Sequence, residues 1–221
     1  MDQVLVNELL KIGYEMDPAE FVNEFVRLAK DADDLGEQSW IEIPTFDIVS
    51  AVLKEFGYPQ AQESDIRQAL TAYYAVSQAH WKLEHDTLPM LLDLKQRGYR
   101  LGIISNASDS EDVRTLLVRE NLVGFFEQVW ISSTVGVCKP HPEIFLQAQK
   151  YFQTPMEEMI LVGDTLAADI AGAKQVGMGS VWITRRADRP ENHAWLEKII
   201  PDFQIATLAE LPDLLKSSRF E

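Results

Sequence analysis

The 221 residues are 46% hydrophobic and 25% charged, the balance of an ordinary globular chain large enough to bury a core of its own. A formal charge of −15 excludes nucleic acid as a natural partner, because binding a phosphate backbone depends on clustered Lys and Arg. The single cysteine, Cys138, excludes an internal disulfide; no apolar run approaches the ~20 residues of a membrane-spanning helix and the N-terminus lacks a secretory pattern, so the expected location is the cytoplasm and no membrane contact is expected.

In chain order, the first part reads as helices only. Apolar residues recur at three- and four-residue spacing over residues 4–13, 18–33, 46–57 and 64–83, as in Phe21, Phe25, Leu28 and Ile48, Val52, Phe56. Asp17-Pro18 and Thr45 stand where helices open, and Gly57 before Tyr58-Pro59 stands where one closes. These segments predict a helical domain over residues 1–84, in which Tyr73, Tyr74 and Trp81 are packing residues.

From about His85 the texture changes. Helical segments at 88–97, 110–120, 142–152, 166–176 and 208–216 alternate with apolar strands at 100–105, 128–132, 159–163, 180–184 and 203–206. Such alternation predicts an α/β domain over residues 85–221, with a parallel sheet covered by helices on both faces.

Polar residues gather at the ends of these strands. Ile160-Leu161-Val162-Gly163-Asp164 reads as a buried strand ending in a carboxylate, the end at which open α/β sheets bind ligands. Asp169, in the next helix, can face the same rim; two acids there suit a hard cation such as Mg²⁺, although an isolated Gly-Asp can equally be a helix cap. The strand before Ser105-Asn106 ends in a hydroxyl and an amide, and the backbone N–H groups that follow can hold an anion. Lys139 lies on a proline-dense loop, Lys139-Pro140-His141-Pro142, just before a helix. Taken singly, these are a turn and a solvated lysine. Their order, hydroxyl then lysine then paired acids, is what points to a phosphate site.

Three segments carry a family resemblance: Leu101-Gly-Ile-Ile-Ser105-Asn106, Lys139-Pro140-His141-Pro142-Glu-Ile-Phe145, and Val162-Gly163-Asp164-Thr-Leu-Ala-Ala-Asp169. They resemble the second, third and fourth motifs of the haloacid dehalogenase-like (HAD) hydrolases, in the right order and spacing from about Leu88 to Leu215. The resemblance implies a Rossmann-like core and makes the N-terminal helices similar to the family's cap. It implies that Ser105 and Asn106 bind a transferring phosphoryl group, that Lys139 neutralises it, and that Asp164 binds Mg²⁺ with Asp169 supporting the metal. Charge neutralisation and positioning are what phosphoryl transfer requires.

The family's first motif is an apolar strand ending in Asp-x-Asp, whose first acid attacks phosphorus. No apolar strand here ends that way, and Asp2 follows no strand. In the family that strand lies between the ones ending at Ser105 and Gly163, so its loss leaves unpaired backbone groups costing about 1–3 kcal/mol each. The expectation is therefore a truncated form of a longer Mg²⁺-dependent phosphatase acting on a small phosphorylated metabolite. The alternative is an inactive HAD-like protein that binds a phosphorylated ligand or a protein partner. Dehalogenation is disfavoured because it needs no cation. His80, His85, His141 and His193 lack zinc-ligand spacing, Cys138 reads as packing, and Arg185, Arg186 and Arg189 read as a solvated basic cluster.

Overall fold

A computed structural model of the chain describes residues 1–217. It divides into two compact units: Met1–Lys82 with Ala107–Asn121, and Leu83–Asn106 with the chain from Leu122 onward.

The first unit is all helical: α1 Asp2–Ile12, α2 Pro18–Ser39, α3 Thr45–Glu55, α4 Glu63–Gln78 and, from the second segment, α6 Ser110–Arg119. The periodic apolar positions become its core, with Leu5, Leu9, Phe21, Val49, Val52 and Leu53 fully buried. Helix α2 opens on Asp17, whose carboxylate accepts from the N–H groups of Ala19 and Glu20, and Pro18 needs no donor at the first helical position. It runs past the predicted residue 33 to Ser39, through a mostly polar stretch with no apolar stripe to reveal it. Tyr73 packs against the core as predicted, whereas Trp81 is exposed, with the Arg119 guanidinium over its ring at 5.8 Å.

Helix α6 falls in a segment whose sequence pattern groups it with the α/β half, yet it packs in the helical unit. Its cap explains this. One oxygen of the buried Asp109 accepts from the N–H groups of Glu111 and Asp112, and the other pairs with Arg67 of α4 at 2.8 Å. One carboxylate thus both starts α6 and fastens it to α4.

The second unit alternates strands and helices: α5 Thr87–Gln96, β1 Gly102–Ser105, β2 Gln128–Ile131, the single turn α7 Ser132–Val135, α8 Pro142–Phe152, β3 Ile160–Gly163, a wide π-helical turn Leu166–Ile170 leading into α9 Ala171–Val176, β4 Gly179–Ile183, the single turn α10 Pro190–His193, β5 Phe203–Ile205 and α11 Leu211–Ser217. All strand pairing is parallel, and the unit is an α/β fold. The strands form two sheets rather than one. β1 pairs with β2, and β3 with β4 and β4 with β5; among the described residues β1 and β3 are not hydrogen-bonded to each other.

That division corrects one expectation. The strand before Asp164 is predicted to be covered on both faces, but β3 is half-buried along its whole length, since it pairs on one side only. The central strand β4 takes the buried place instead, with Ser180 and Val181 fully enclosed. Against the sheets, Trp130, Ile144, Phe145, Ala148, Ala173 and Met178 form one apolar cluster. Gly172 admits the Phe145 ring, whose Cζ would lie 2.6 Å from any Cβ placed there.

Candidate active site

The carboxyl ends of β1 and β3 carry the residues singled out in the sequence. Asn106, just beyond β1, spends its side chain on the backbone of Lys139: its amide donates to the Lys139 carbonyl at 3.0 Å, and the Lys139 N–H donates to its Oδ1 at 2.7 Å. The sequence assigns Asn106 to substrate binding; the structure engages both ends of its amide in seating the Lys139 loop beside β1.

The lysine side chain then crosses between the sheets. Its Nζ donates to the Ile104 carbonyl on β1 at 2.8 Å and to Asp169 Oδ1, beyond β3, at 2.7 Å. Both partners are enclosed, with side-chain exposures of 11% and 8%, so this is a desolvated ion pair and not a solvated surface contact. Lys139 and Asp169 therefore meet, and Ser105, which closes β1, stands next in sequence to the carbonyl that receives the lysine.

Asp169 reaches the lysine by folding back over β3. Its Oδ2 accepts from the Thr165 N–H at 3.0 Å, and a Cβ at Gly163 would stand 2.4 Å from its Cγ. Gly163 is thus required by close approach, not by turn geometry. The wide π-helical turn, in which the N–H groups of Asp169 and Ile170 both donate to the Thr165 carbonyl, forms the return.

Asp164 stands at the mouth of this turn, with 28% of its side chain exposed. Its carboxylate lies 3.2 Å from Arg189 and 3.6 Å from Arg186. Two residues of the basic cluster, for which the sequence favours solvation over a contact at the edge of the site, therefore face the site, because the chain after β4 turns back across the end of β3. Arg185 does otherwise: it pairs with Glu84 and the buried Asp86, each at 2.7 Å. Burial pushes the Asp86 carboxyl up, but the Arg185 guanidinium and the N–H of Ala209 outweigh it and hold the group below the usual carboxylate range.

One residue at the site carries no signal in the sequence. Asn192 of α10 is fully buried; its Nδ2 donates to the Asp164 carbonyl at 2.9 Å, and its Oδ1 accepts from the Leu166 N–H at 2.8 Å. Trp182 Nε1 donates to the same Asp164 carbonyl at 3.2 Å. An asparagine in the polar run Arg189-Pro-Glu-Asn192-His reads as an exposed loop.

The donor set decides which cation fits. Asp164 is the accessible carboxylate, while each oxygen of Asp169 already accepts a hydrogen bond. Among the described residues there is no group of three or more His, Cys, Asp or Glu that could hold a metal ion. A hard cation that takes one carboxylate from the protein and completes its shell with water and phosphate oxygens, as Mg²⁺ does, would find that carboxylate at Asp164, in competition with the Arg186 and Arg189 guanidiniums.

A family model described as haloacid dehalogenase-like hydrolase matches residues 41–183. A glyceraldehyde 3-phosphate phosphatase of Pyrococcus furiosus is 42% identical over 57% of this chain and 50% of its own length. One of Methanopyrus kandleri is 33% identical over 68% of this chain and 64% of its own. The chain thus spans between half and two thirds of these curated relatives. The crystal structure of a HAD phosphatase from Thermococcus onnurineus superposes with a TM-score of 0.63 at 28% identity, covering 99% of this chain and 89% of that one. With the family match running from the helical unit through β4, and Lys139 of one motif paired with Asp169 of another, the chain belongs to the haloacid dehalogenase-like hydrolases.

Proposed function

We propose that this chain forms the phosphate-handling part of a Mg²⁺-dependent phosphatase that hydrolyses a small phosphorylated metabolite to its alcohol and inorganic phosphate. The observation that carries this reading is the enclosed Lys139, held at 2.7 Å from Asp169 and 2.8 Å from the Ile104 carbonyl, the residue before Ser105. An ammonium fixed by an enclosed carboxylate and a strand carbonyl is pre-positioned charge, which lowers the cost of gathering negative charge in the transition state. In this reading Ser105 donates to a phosphoryl oxygen and Lys139 neutralises another. Asp164 would hold Mg²⁺, which when bound supplies Lewis-acid polarisation of the phosphoryl group. Asn106 and Asp169 keep Lys139 and the Asp164 turn in place.

The attacking carboxylate is assigned to no residue of these 221. In this reading it belongs to a strand ending in Asp-x-Asp that would lie between β1 and β3, and the separate pairing of those strands supports it. A second reading, an inactive HAD-like protein that binds a phosphorylated ligand, is favoured by one observation: no apolar strand of this sequence ends in Asp-x-Asp. The relatives named as glyceraldehyde 3-phosphate phosphatases support a three-carbon phosphate ester as substrate.

The test is phosphate release from a panel of triose, sugar and hydroxyacid phosphates, with and without Mg²⁺, by the 221-residue chain and by the chain extended with an upstream Asp-x-Asp segment. Metal-dependent release by the extended form alone supports the first reading. Release by neither, with retained binding of a phosphate ester, supports the second.

A further inference from the structure

We infer that Asn192 is a positioning residue, which locks the Asp164–Leu166 turn so that the Asp164 carboxylate is presented in one geometry. The inference rests on the proposed cation role of Asp164 and goes beyond it by naming what sets that residue's geometry.

Asn192 is fully buried on a single-turn helix whose neighbours Glu191 and His193 are exposed. Burying an amide is costly unless its donor and acceptor are both used. Both are. Nδ2 donates to the Asp164 carbonyl at 2.9 Å and to the Arg186 carbonyl at 3.3 Å, and Oδ1 accepts from Leu166 at 2.8 Å. The side chain thereby spans the turn from the residue that carries the carboxylate to the first residue of the π-helical turn. It also ties to that turn the backbone of Arg186, whose guanidinium, with that of Arg189, faces the same carboxylate.

The Asp164 carbonyl is restrained from a second direction by Trp182 Nε1 at 3.2 Å. Two donors from separate elements fill both lone pairs of that carbonyl, so the peptide after Asp164 has little freedom to rotate. The Leu166 N–H opens the π-helical turn, and without Asn192 it would lie buried with no acceptor. The consequence is that Asn192 touches no reacting atom yet sets where the candidate ligand points. Groups at this remove from a metal typically change its affinity by about 10–100-fold when removed.

The test compares the wild-type chain with Asn192→Ala and with Ser180→Ala. Ser180 is also fully buried, and its hydroxyl donates to Asp202 at 2.6 Å, so its removal destabilises the same unit without touching the Asp164 turn. Amide exchange at Leu166 reads the turn, and Mn²⁺ titration by electron paramagnetic resonance, with Mn²⁺ standing for Mg²⁺, reads the carboxylate. Asn192→Ala is expected to speed Leu166 exchange by about tenfold, the loss of one buried hydrogen bond, and to weaken Mn²⁺ binding by about tenfold or more. Ser180→Ala is expected to leave both near wild type.

Should the alanine form not fold, Asn192→Asp keeps the acceptor for Leu166 and the side-chain volume but sets a carboxylate against the Asp164 carbonyl. It is expected to weaken Mn²⁺ binding while leaving Leu166 protected. Unchanged Leu166 exchange in a folded Asn192→Ala overturns the inference, and so does equal weakening of Mn²⁺ binding by Ser180→Ala. A wild-type chain that binds no Mn²⁺ overturns the cation role proposed for Asp164, and the exchange data then judge the turn by themselves.

Discussion

Replacing Lys139 by methionine keeps most of the aliphatic stem and removes the charge. Asp169, whose side chain is 8% exposed, then retains the Thr165 N–H as its donor, and the Ile104 carbonyl loses the ammonium. Breaking a buried ion pair by removing one partner costs about 3–5 kcal/mol, because the remaining charge stays desolvated. An orphaned buried acceptor adds about 1–3 kcal/mol, but one ammonium serves both groups and Ile104 is only partly enclosed, so the expected loss is about 4 kcal/mol in all. For a chain of this size that corresponds to a fall in the melting midpoint of roughly 8–16 °C. The assay is thermal unfolding followed by circular dichroism at neutral pH, run beside Lys139→Met/Asp169→Asn. The double variant removes the stranded charge while leaving an acceptor for Thr165, and it is expected to recover about half of the loss. A single-variant loss under about 1 kcal/mol would place the pair among weak surface contacts and refute the reasoning. So would a double variant no more stable than the single.

Gly163→Ala puts a Cβ 2.4 Å from Asp169 Cγ, so Asp169 must leave its place; a loss of about 3–5 kcal/mol is expected, and a crystal structure of the variant should show the Lys139 contact broken. A retained contact would contradict this. Asp86 is held below the ordinary carboxylate value, so its stabilising contribution is present above that value and disappears as pH falls through the lowered one. In Arg185→Met the largest lowering cause is gone, so this loss of stability on acidification should shrink, which denaturant midpoints between pH 3 and 7 would reveal. Asp112 is held above its ordinary value by burial and by the Asp109 carboxylate, against a bond from Gln78. The wild type should therefore gain stability as pH falls through the raised value, and Asp112→Asn, measured the same way, should flatten that gain.

The secondary structure was largely written in the local pattern. Three- and four-residue apolar spacing marked α1, α3, α4 and α8, and short apolar runs marked all five strands, because burying one helix stripe or one strand is a requirement that each segment meets with its own residues. The rim residues were legible for the same reason: Ser105, Lys139 and Asp164 each follow or precede a recognisable element, and strand ends of a parallel sheet lie on one side.

What the linear order could not contain was the partnering. The short turns α7 and α10 have no apolar stripe to announce them. Whether Asn106 holds a ligand or the Lys139 backbone, whether Arg186 and Arg189 face water or Asp164, and whether Asn192 is exposed or buried depend on segments distant along the chain or on a turn's direction. Even the need for glycine at 163 arises from Asp169 folding back onto it. Hydrogen bonds and desolvated ion pairs are short-ranged in space and indifferent to separation along the chain, so only the folded arrangement of β1, β3 and the loops beyond them decided which polar groups met.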